Sequence, residues 1–502
     1  MIKINDKINA RRNYVMIYLV MYEIRTIQKY IYHSSKLKEI ESSSAFVSNI
    51  LRRILKKTCG HFKLTEDIND EKELEENFKF DNQFDLQVAY EGGGNLACFL
   101  KTESEDKVHQ FNQYVGYLFL QETYSLRVCY AFVEKTDDFS NDRKTLTEKI
   151  GNLKSLMPET CLQPGFPITM TSTESSYPLS EKGVFASDTG NKIRKITKES
   201  KCKLDVYEKQ SEYNNLDEMR DKGNDSFLAI VHIDANDLGI AINNFFDGKK
   251  AVSYEEAVNN SRHVSNAIYR KYNLAFESYI EDYVTANTTE KEQKAGVYRI
   301  IVNSGDDITF IIRNLYAIDV VTGFLKKINN DSFFDNDNKI SACAGIVFIK
   351  AHFPYDKGYE MAEELCELSK EKAKKTKPSL CAFDYYICQN GMISTVSDDE
   401  KKHKGLYSKP YYVNRHKNCA DDFETLKKNI DLLLSNKLTL GKVKQIRNSY
   451  EKGKVDIEMT MKQLSSRLDE PLLPFDENEK AIYYDASTLI DFTKFADNKA
   501  GE

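Results

Sequence analysis

Three aspartates stand where packing alone would not put a carboxylate. Asp306 and Asp307 follow Ser304 and Gly305 in NSGDDITF (303–310), and Asp234 closes the apolar run FLAIVHID (227–234). The Asp-Asp pair itself is uninformative. It occurs four times, and the pairs 137–138, 398–399 and 421–422 lie in polar surroundings that read as solvated loops or helix starts. Only Asp306–Asp307 has strand-type sequence on both sides, Tyr298–Val302 before it and Ile308–Ile312 after it. A short Ser/Gly/Asp connection between such runs signals a hairpin. Two readings follow: a turn that happens to be acidic, or a metal site built on a hairpin. Hard divalent cations take a few carboxylates together with substrate phosphates. A pair of such ions can activate an attacking hydroxyl and stabilise a leaving pyrophosphate. Gly305 opens backbone angles closed to other residues and lets a triphosphate come close. Without metal, clustered carboxylates would raise one another's pKa.

A triphosphate also calls for cations. The stretch KAHFPYDKGYEMAEELCELSKEKAKK (350–375) reads as a helix with Met361, Leu365 and Leu368 on one face. Lys370 and Lys374 are spaced i, i+4 on it, which puts both on one side. An ordinary solvated face is the alternative, since Lys372 and Lys375 are close by.

The elements that must position these groups occur twice. FLAIVHIDANDLG (227–239) has the shape of MIYLVMYEIRTIQ (16–28), and laying Glu23 on Asp234 gives an offset of 211 residues. The hairpin in VAYEGGGNLACFL (88–100) can be laid on the acidic one, Gly92-Gly93-Gly94-Asn95 on Ser304-Gly305-Asp306-Asp307, at an offset of 212. Two independent landmarks at nearly one offset argue for a duplicated unit. Each hairpin leads through a helical stretch to another strand, Leu126–Val133 and Ile340–Ile349. The order predicts an α+β fold with two ferredoxin-like units, each a mixed sheet with helices on one face. The copies differ where chemistry would be. The second carries Asp234, Asp306 and Asp307, and the first has Glu23, Gly94 and Asn95. That asymmetry favours the metal site over the acidic turn.

The chain as a whole sets bounds. Its 502 residues suggest three or four domain-sized units. Lys and Arg number 71 against 77 Asp and Glu, so there is no global basic field of the duplex-binding kind. The first apolar run, Tyr14–Tyr22, is too short to span a bilayer and lacks a cleavage site. A cytoplasmic location with no membrane partner is therefore expected. None of the ten cysteines is in CxxC spacing, and free reduced thiols are expected. No histidine precedes an aspartate, so the HD pair of metal-dependent phosphohydrolases is absent.

The second unit resembles the palm-type nucleotidyl cyclases. It is similar to GGDEF diguanylate cyclases and, more closely, to the large polymerase-like subunit of type III CRISPR effector complexes. That subunit carries two palm domains, the first degenerate and the second with a GGDD hairpin. The resemblance rests on the SGDD hairpin (304–307), the strand end IDANDLG (233–239) and the helix AEELCELSK (362–370). In the first unit it rests on IRTIQKYIYHSSKLKEIESSSAFVSNIL (24–51) and EGGGN (91–95). It spans roughly residues 15–390, and its specificity lies in the combination. It implies a degenerate palm over residues 1–135, an inserted loop-rich module over 136–222, a catalytic palm over 223–390 and a C-terminal helical domain over 391–502. The activity implied joins ATP molecules 3′–5′ into cyclic oligoadenylate or a cyclic dinucleotide, a second messenger of antiviral defence. Asp234, Asp306 and Asp307 would be the catalytic and metal-holding residues, with Mg²⁺ or Mn²⁺ as cofactor. Ser304, Gly305, Asn236, Lys370, Lys374, Gly93 and Gly94 would contact nucleotide, with Lys370 at the position of the family's triphosphate lysine.

Departures from the family matter. Ser304 replaces the first glycine of GGDD, and Asn236 stands where a second aspartate is common. The HD nuclease domain and the CxxC zinc element between the palms are missing. A stripped effector subunit and a stand-alone defence cyclase both fit, as does a homo-oligomer. The alternative is a scaffold that binds RNA and effector subunits with a vestigial hairpin. Basic residues at Lys3, Lys7, Arg11 and Arg12 and within 191–203 leave room for RNA. The segments 421–436 and 437–468 show helical periodicity. They could dock other subunits or simply cap the palm.

Overall fold

The computed structural model describes residues 15–32, 37–69, 73–123, 125–157, 227–249, 251–331, 333–334, 339–376, 379–388, 405–414, 419–435, 438–466, 472–476 and 480–493, with the single residues 170, 219 and 396. The chain divides into two compact units, Met1–Leu204 with Ile242–Arg270, and Asp205–Ala241 with Lys271–Glu502.

The first unit is built on β1 (Met16–Arg25), β2 (Leu86–Gly92), β3 (Asn95–Thr102) and β4 (Arg127–Glu134). The sheet order is β2-β3-β1-β4, antiparallel throughout. Between β1 and β2 come α1 (Ile27–Ile31), α2 (Leu37–Val47) and α3 (Ile50–Phe62). Between β3 and β4 runs α4 (Glu105–Thr123), and after β4 comes α5 (Phe139–Leu156). The Asp138 carboxylate caps α5 by accepting from the Ser140 and Asn141 amides, so this Asp-Asp pair is indeed a helix start. On the sheet face of Leu19 and Met21, a core forms with Phe99, Phe139, Leu146 and Ile150. It includes Ala257 and Val258 from a later stretch of chain, in which α6 (Leu238–Gly248) precedes α7 (Tyr254–Ile268). Strand β2 has a bulge between Val88 and Tyr90. A bulge frees backbone groups from the ladder, and the Arg262 side chain of α7 donates to the buried carbonyl of Ala89 at 2.8 Å.

The second unit has six strands: β5 (Phe227–Asn236), β6 (Tyr298–Ser304), β7 (Asp307–Arg313), β8 (Ser341–Lys350), β9 (Ala382–Ile387) and β10 (Tyr411–Tyr412). Their order is β10-β9-β8-β5-β7-β6, with β8 and β9 parallel. The run β6-β7-β5-β8 at one end repeats the first sheet's order, with the opening strand between the third and the fourth. A π turn (Tyr269–Leu274) leads into α8 (Ala275–Asn287) and α9 (Glu290–Ala295), and α10 (Asn314–Asn330) joins β7 to β8. On one face, Phe276 of α8 and Phe324 of α10 meet Phe310 of β7, with ring centroids 4.9 Å apart for Phe276–Phe310. Helices cover both faces of this sheet and not the one face expected, for on the other lies α11 (Tyr355–Ala373). It sits so close to β8 that a Cβ on Gly345 would come within 1.9 Å of the Ala362 carbonyl oxygen. Only glycine permits that approach, and through it the end of α11 reaches the end of β5.

The C-terminal region is helical, with α12 (Phe423–Ser435), α13 (Leu440–Lys452), α14 (Lys454–Ser465) and α15 (Tyr484–Leu489). A buried Asp485 on α15 accepts from the Tyr385 and Tyr411 hydroxyls and from the Ser408 amide, tying α15 to β9 and β10. The module expected over 136–222 begins as α5. From residue 158 it lies outside the described residues apart from Met170 and Met219, as do Cys161, Cys202, the basic N-terminus and residues 191–203. The eight cysteines described are free thiols, seven of them buried. Among the described residues no helix is long and apolar enough to cross a membrane.

Candidate active site

Strand β5 is apolar and buried until its end, where it pairs with β7 in a register that sets Asp234 directly opposite Asp307. The turn between β6 and β7 closes with Ser304 opposite Asp307, and Gly305 takes a φ of 65°, the left-handed region glycine tolerates. The Ala235 amide donates to the Asp306 carbonyl at 3.3 Å, fastening the turn to the end of β5. Because side chains alternate along a strand, His232 shares a face with Asp234, and Thr309 shares it with Asp307. His232 Nδ1 lies 3.0 Å from Thr309 Oγ1. Ligand atoms of His232, Asp234 and Asp307 all lie within 4.8 Å of one another. Asp306 is exposed at the turn and is not part of this group, although its charge reaches Asp234.

Lys370, on the last turn of α11, pairs with Asp234, and Glu367 stands 3.5 Å from the same ammonium. Burial pushes the Asp234 carboxyl up to about 6, and the charges of Asp306 and Glu367 add to this against the pull of Lys370. Burial works against the Lys370 ammonium too, but the Asp234 hydrogen bond and charge lift its pKa above the ordinary lysine value. Both partners are therefore charged at neutral pH. Burial first, and the Lys370 charge second, push His232 down to about 4, so its imidazole is neutral. Two facing carboxylates, one still destabilised by burial despite its lysine, and a neutral imidazole form a donor set that suits a divalent cation.

The other sequence-predicted residues fall around this centre. Asn236 is buried at the end of β5, where its amide donates to Ser341 Oγ at 3.1 Å and Cys343 Sγ at 3.2 Å, while its Oδ1 is buried without a partner. Lys374 is the exposed C-cap of α11, one turn beyond Lys370. Gly93 and Gly94 form the β2–β3 turn of the first unit, at φ 58° and 80°. A Cβ on Gly94 would come within 2.5 Å of Ile27 Cδ1.

Sequence reasoning missed three residues. His232 sits two positions before Asp234, so a polar residue inside an apolar strand was the available signal. Asn273, on the π turn, donates to Asn303 Oδ1 at 2.8 Å and to the Gly305 carbonyl at 3.2 Å, while Asn303 returns a bond to the Asn273 carbonyl at 3.1 Å. That reciprocal clasp holds the turn, and π turns recur at functional sites. Tyr272 is buried beside it with no hydrogen-bond partner for its hydroxyl. Its phenol is pushed well up by burial and further by the charges of Asp234, Asp306 and Asp307. Nothing in a linear sequence marks a π turn.

Comparison with known proteins bears on this segment. Residues 227–380 match the family described as Cas10/Cmr2, second palm domain. The fold of the chain is similar to that of a Csm1–Csm4 cassette in complex with cA4, at a TM-score of 0.54 and 13% identity over 95% of this chain and 69% of the other. It is also similar to a Csm1–Csm4 cassette in complex with one ATP, at 0.51 and 13% over 95% and 70%. No curated sequence matches.

Proposed function

We propose that the chain is a nucleotidyltransferase that joins ATP molecules into a cyclic oligoadenylate or cyclic dinucleotide. The observation that carries this is the placement of Asp234 opposite Asp307, with Lys370 against them, inside the segment that matches a Cas10/Cmr2 second palm domain. In this reading residues 223–390 are the catalytic palm, 1–135 a degenerate palm with Gly93 and Gly94 as nucleotide contacts, 136–222 an insertion, and 391–502 a helical domain for subunit contacts.

Asp234 and Asp307 would hold Mg²⁺ or Mn²⁺, with Asp306 adding charge from the turn. The bound metal supplies charge neutralisation at the α-phosphate and a lowered pKa for the attacking hydroxyl. The chain's own residues do the rest. Gly305 lets the triphosphate approach the backbone of the turn, and the Asn273 clasp keeps Gly305 and Asp306 in place. Lys370 lies against Asp234, and its ammonium would swing to pair with the triphosphate when substrate arrives. Ser304, Asn236 and Lys374 line the approach. The 3′-oxygen of one ATP forms a bond to the α-phosphorus of another, the bond to pyrophosphate breaks, and the hydroxyl proton leaves to solvent.

The similar structures pair Csm1 with Csm4 and are complexes with cA4 and with ATP. They support an adenine nucleotide as substrate and a comparable effector subunit as partner. The test is mass spectrometry of products after incubation with all four NTPs and Mg²⁺ or Mn²⁺, beside Asp306→Asn/Asp307→Asn protein. A cyclic adenylate lost in the variant is expected. No product, even with added RNA and partner subunit, would favour the scaffold with a vestigial hairpin.

A further inference from the structure

We infer that His232 is the third protein ligand of the metal, and that the site therefore selects Mn²⁺ over Mg²⁺. The inference rests on the metal-site reading above, and it concerns a residue that the carboxylate reading does not need. Its first support is geometric: a ring nitrogen of His232 falls within 4.8 Å of the ligand atoms of Asp234 and Asp307. The second is orientation. Metal-ligating histidines almost always engage their other ring nitrogen with a fixed partner. Here Nδ1 is 3.0 Å from Thr309 Oγ1, a contact that holds the ring; in the tautomer we assign, Nδ1–H donates to that hydroxyl and the Nε2 lone pair is left to ligate.

The third support comes from the other sheet. At the place of His232, with Glu23 laid on Asp234, the first unit has Met21, and the residue opposite Met21 is Ala97, where the second unit sets Thr309 opposite His232. Met21 and Ala97 are core residues. The fold thus packs this place with an apolar pair where no carboxylates face each other, and with an imidazole–hydroxyl pair where they do. Packing does not demand the polar pair. His232 is 3% exposed, and its edge-to-face neighbour Tyr359, with centroids 5.5 Å apart, keeps bulk water from one side of the ring. Magnesium favours all-oxygen octahedra and gives up its waters reluctantly. Imidazole nitrogen with two carboxylates suits a first-row transition ion, and Mn²⁺ is the one that carboxylates also favour.

The experiment is metal binding to the full chain with no nucleotide present. Mn²⁺ and Mg²⁺ affinities are measured by calorimetry, and pulsed electron paramagnetic resonance of bound Mn²⁺ reads nitrogen coupling. Wild-type protein is expected to bind Mn²⁺ at least tenfold tighter than Mg²⁺, with an imidazole nitrogen signal. His232→Met, the side chain the first sheet packs at this place, is expected to lose the nitrogen signal and at least tenfold in Mn²⁺ affinity, with Mg²⁺ affinity within about twofold. Thr309→Val keeps the imidazole and is expected to weaken Mn²⁺ binding about tenfold, as loss of an orienting partner does. Absence of nitrogen coupling in the wild type, or an unchanged Mn²⁺ to Mg²⁺ ratio in His232→Met, would overturn the inference. Retention of Mn²⁺ by Asp234→Asn/Asp307→Asn protein would instead sink the metal-site reading itself.

Discussion

Glu23 and Asp234 occupy the same place in two sheets built alike. Glu23 lies opposite Asn95 on β3 and Cys129 on β4, and Asp234 lies opposite Asp307 on β7 and Cys343 on β8. The Ile24 amide donates to the Gly94 carbonyl as the Ala235 amide does to that of Asp306. Even the bulges match, Val88/Tyr90 in β2 and Ile300/Val302 in β6. A lysine on the helix after the fourth strand pairs with the strand-end carboxylate in both, Lys154 with Glu23 and Lys370 with Asp234. Backbone and lysine are therefore shared, and what separates the sheets is the set of donors around the pair. In the first sheet one carboxylate meets one lysine and the charge is settled. In the second, Asp307 faces Asp234, and burial first, then the charges of Asp306 and Glu367, hold Asp234 up at about 6. The first site is self-sufficient, and the second is poised for a cation.

The comparison is broken most forcefully by removing the facing carboxylates. Asp234→Asn or Asp307→Asn is expected to cut product formation on the order of 10³-fold, the several kcal/mol a metal-held charge supplies. Glu23→Gln is expected to stay within about threefold under the same electrostatic argument. Equal losses in product assays of both variants would mean that the chemistry is shared between the sheets. The paired lysines come next. Lys370→Met is expected to lose about 10²-fold, as removal of one charged stabiliser of a phosphoryl group does, while Lys154→Met changes turnover little.

A smaller effect is on stability. The Asp234 carboxyl binds its proton more tightly in the native state, at about 6, than in the unfolded chain. Its contribution is therefore most favourable at low pH and declines as pH rises from the unfolded value through about 6. The stability difference between metal-free wild type and Asp234→Asn, from urea unfolding, should shift in favour of Asn over that window and stay flat above it. Smallest are the turn glycines. Gly305→Ala and Gly93→Ala each force a left-handed residue and should cost about 1 kcal/mol. Thermal denaturation should report similar losses for both, and Gly305→Ala should lower turnover more than Gly93→Ala does.

Much of this comparison was readable from the residues. The offsets 211 and 212 align the strand ends and hairpins in the same way as the ladders do, because strand register is tied to the turn that starts it. The order of elements makes the first strand and the hairpin neighbours and predicts that Asp234 faces both hairpin aspartates; Asp307 does face it, and Asp306 lies exposed at the turn. The α+β order and the helical C-terminal region are likewise present. What was not legible depends on contacts distant in sequence. Lys370 was read as a triphosphate ligand, and its pairing with Asp234 depends on how closely Gly345 lets α11 approach β8. The Asn273 clasp needs a π turn that no periodicity announces. His232 stood in plain view but read as one more residue of a buried strand, since its role depends on Thr309 across the ladder.

The most direct test of the difference between the two sheets is anomalous diffraction at the manganese edge from crystals soaked with Mn²⁺ and a non-hydrolysable ATP analogue. The account predicts density between Asp234 and Asp307 and none between Glu23 and Asn95. Density at Glu23, or none at Asp234 under saturating Mn²⁺, would contradict it.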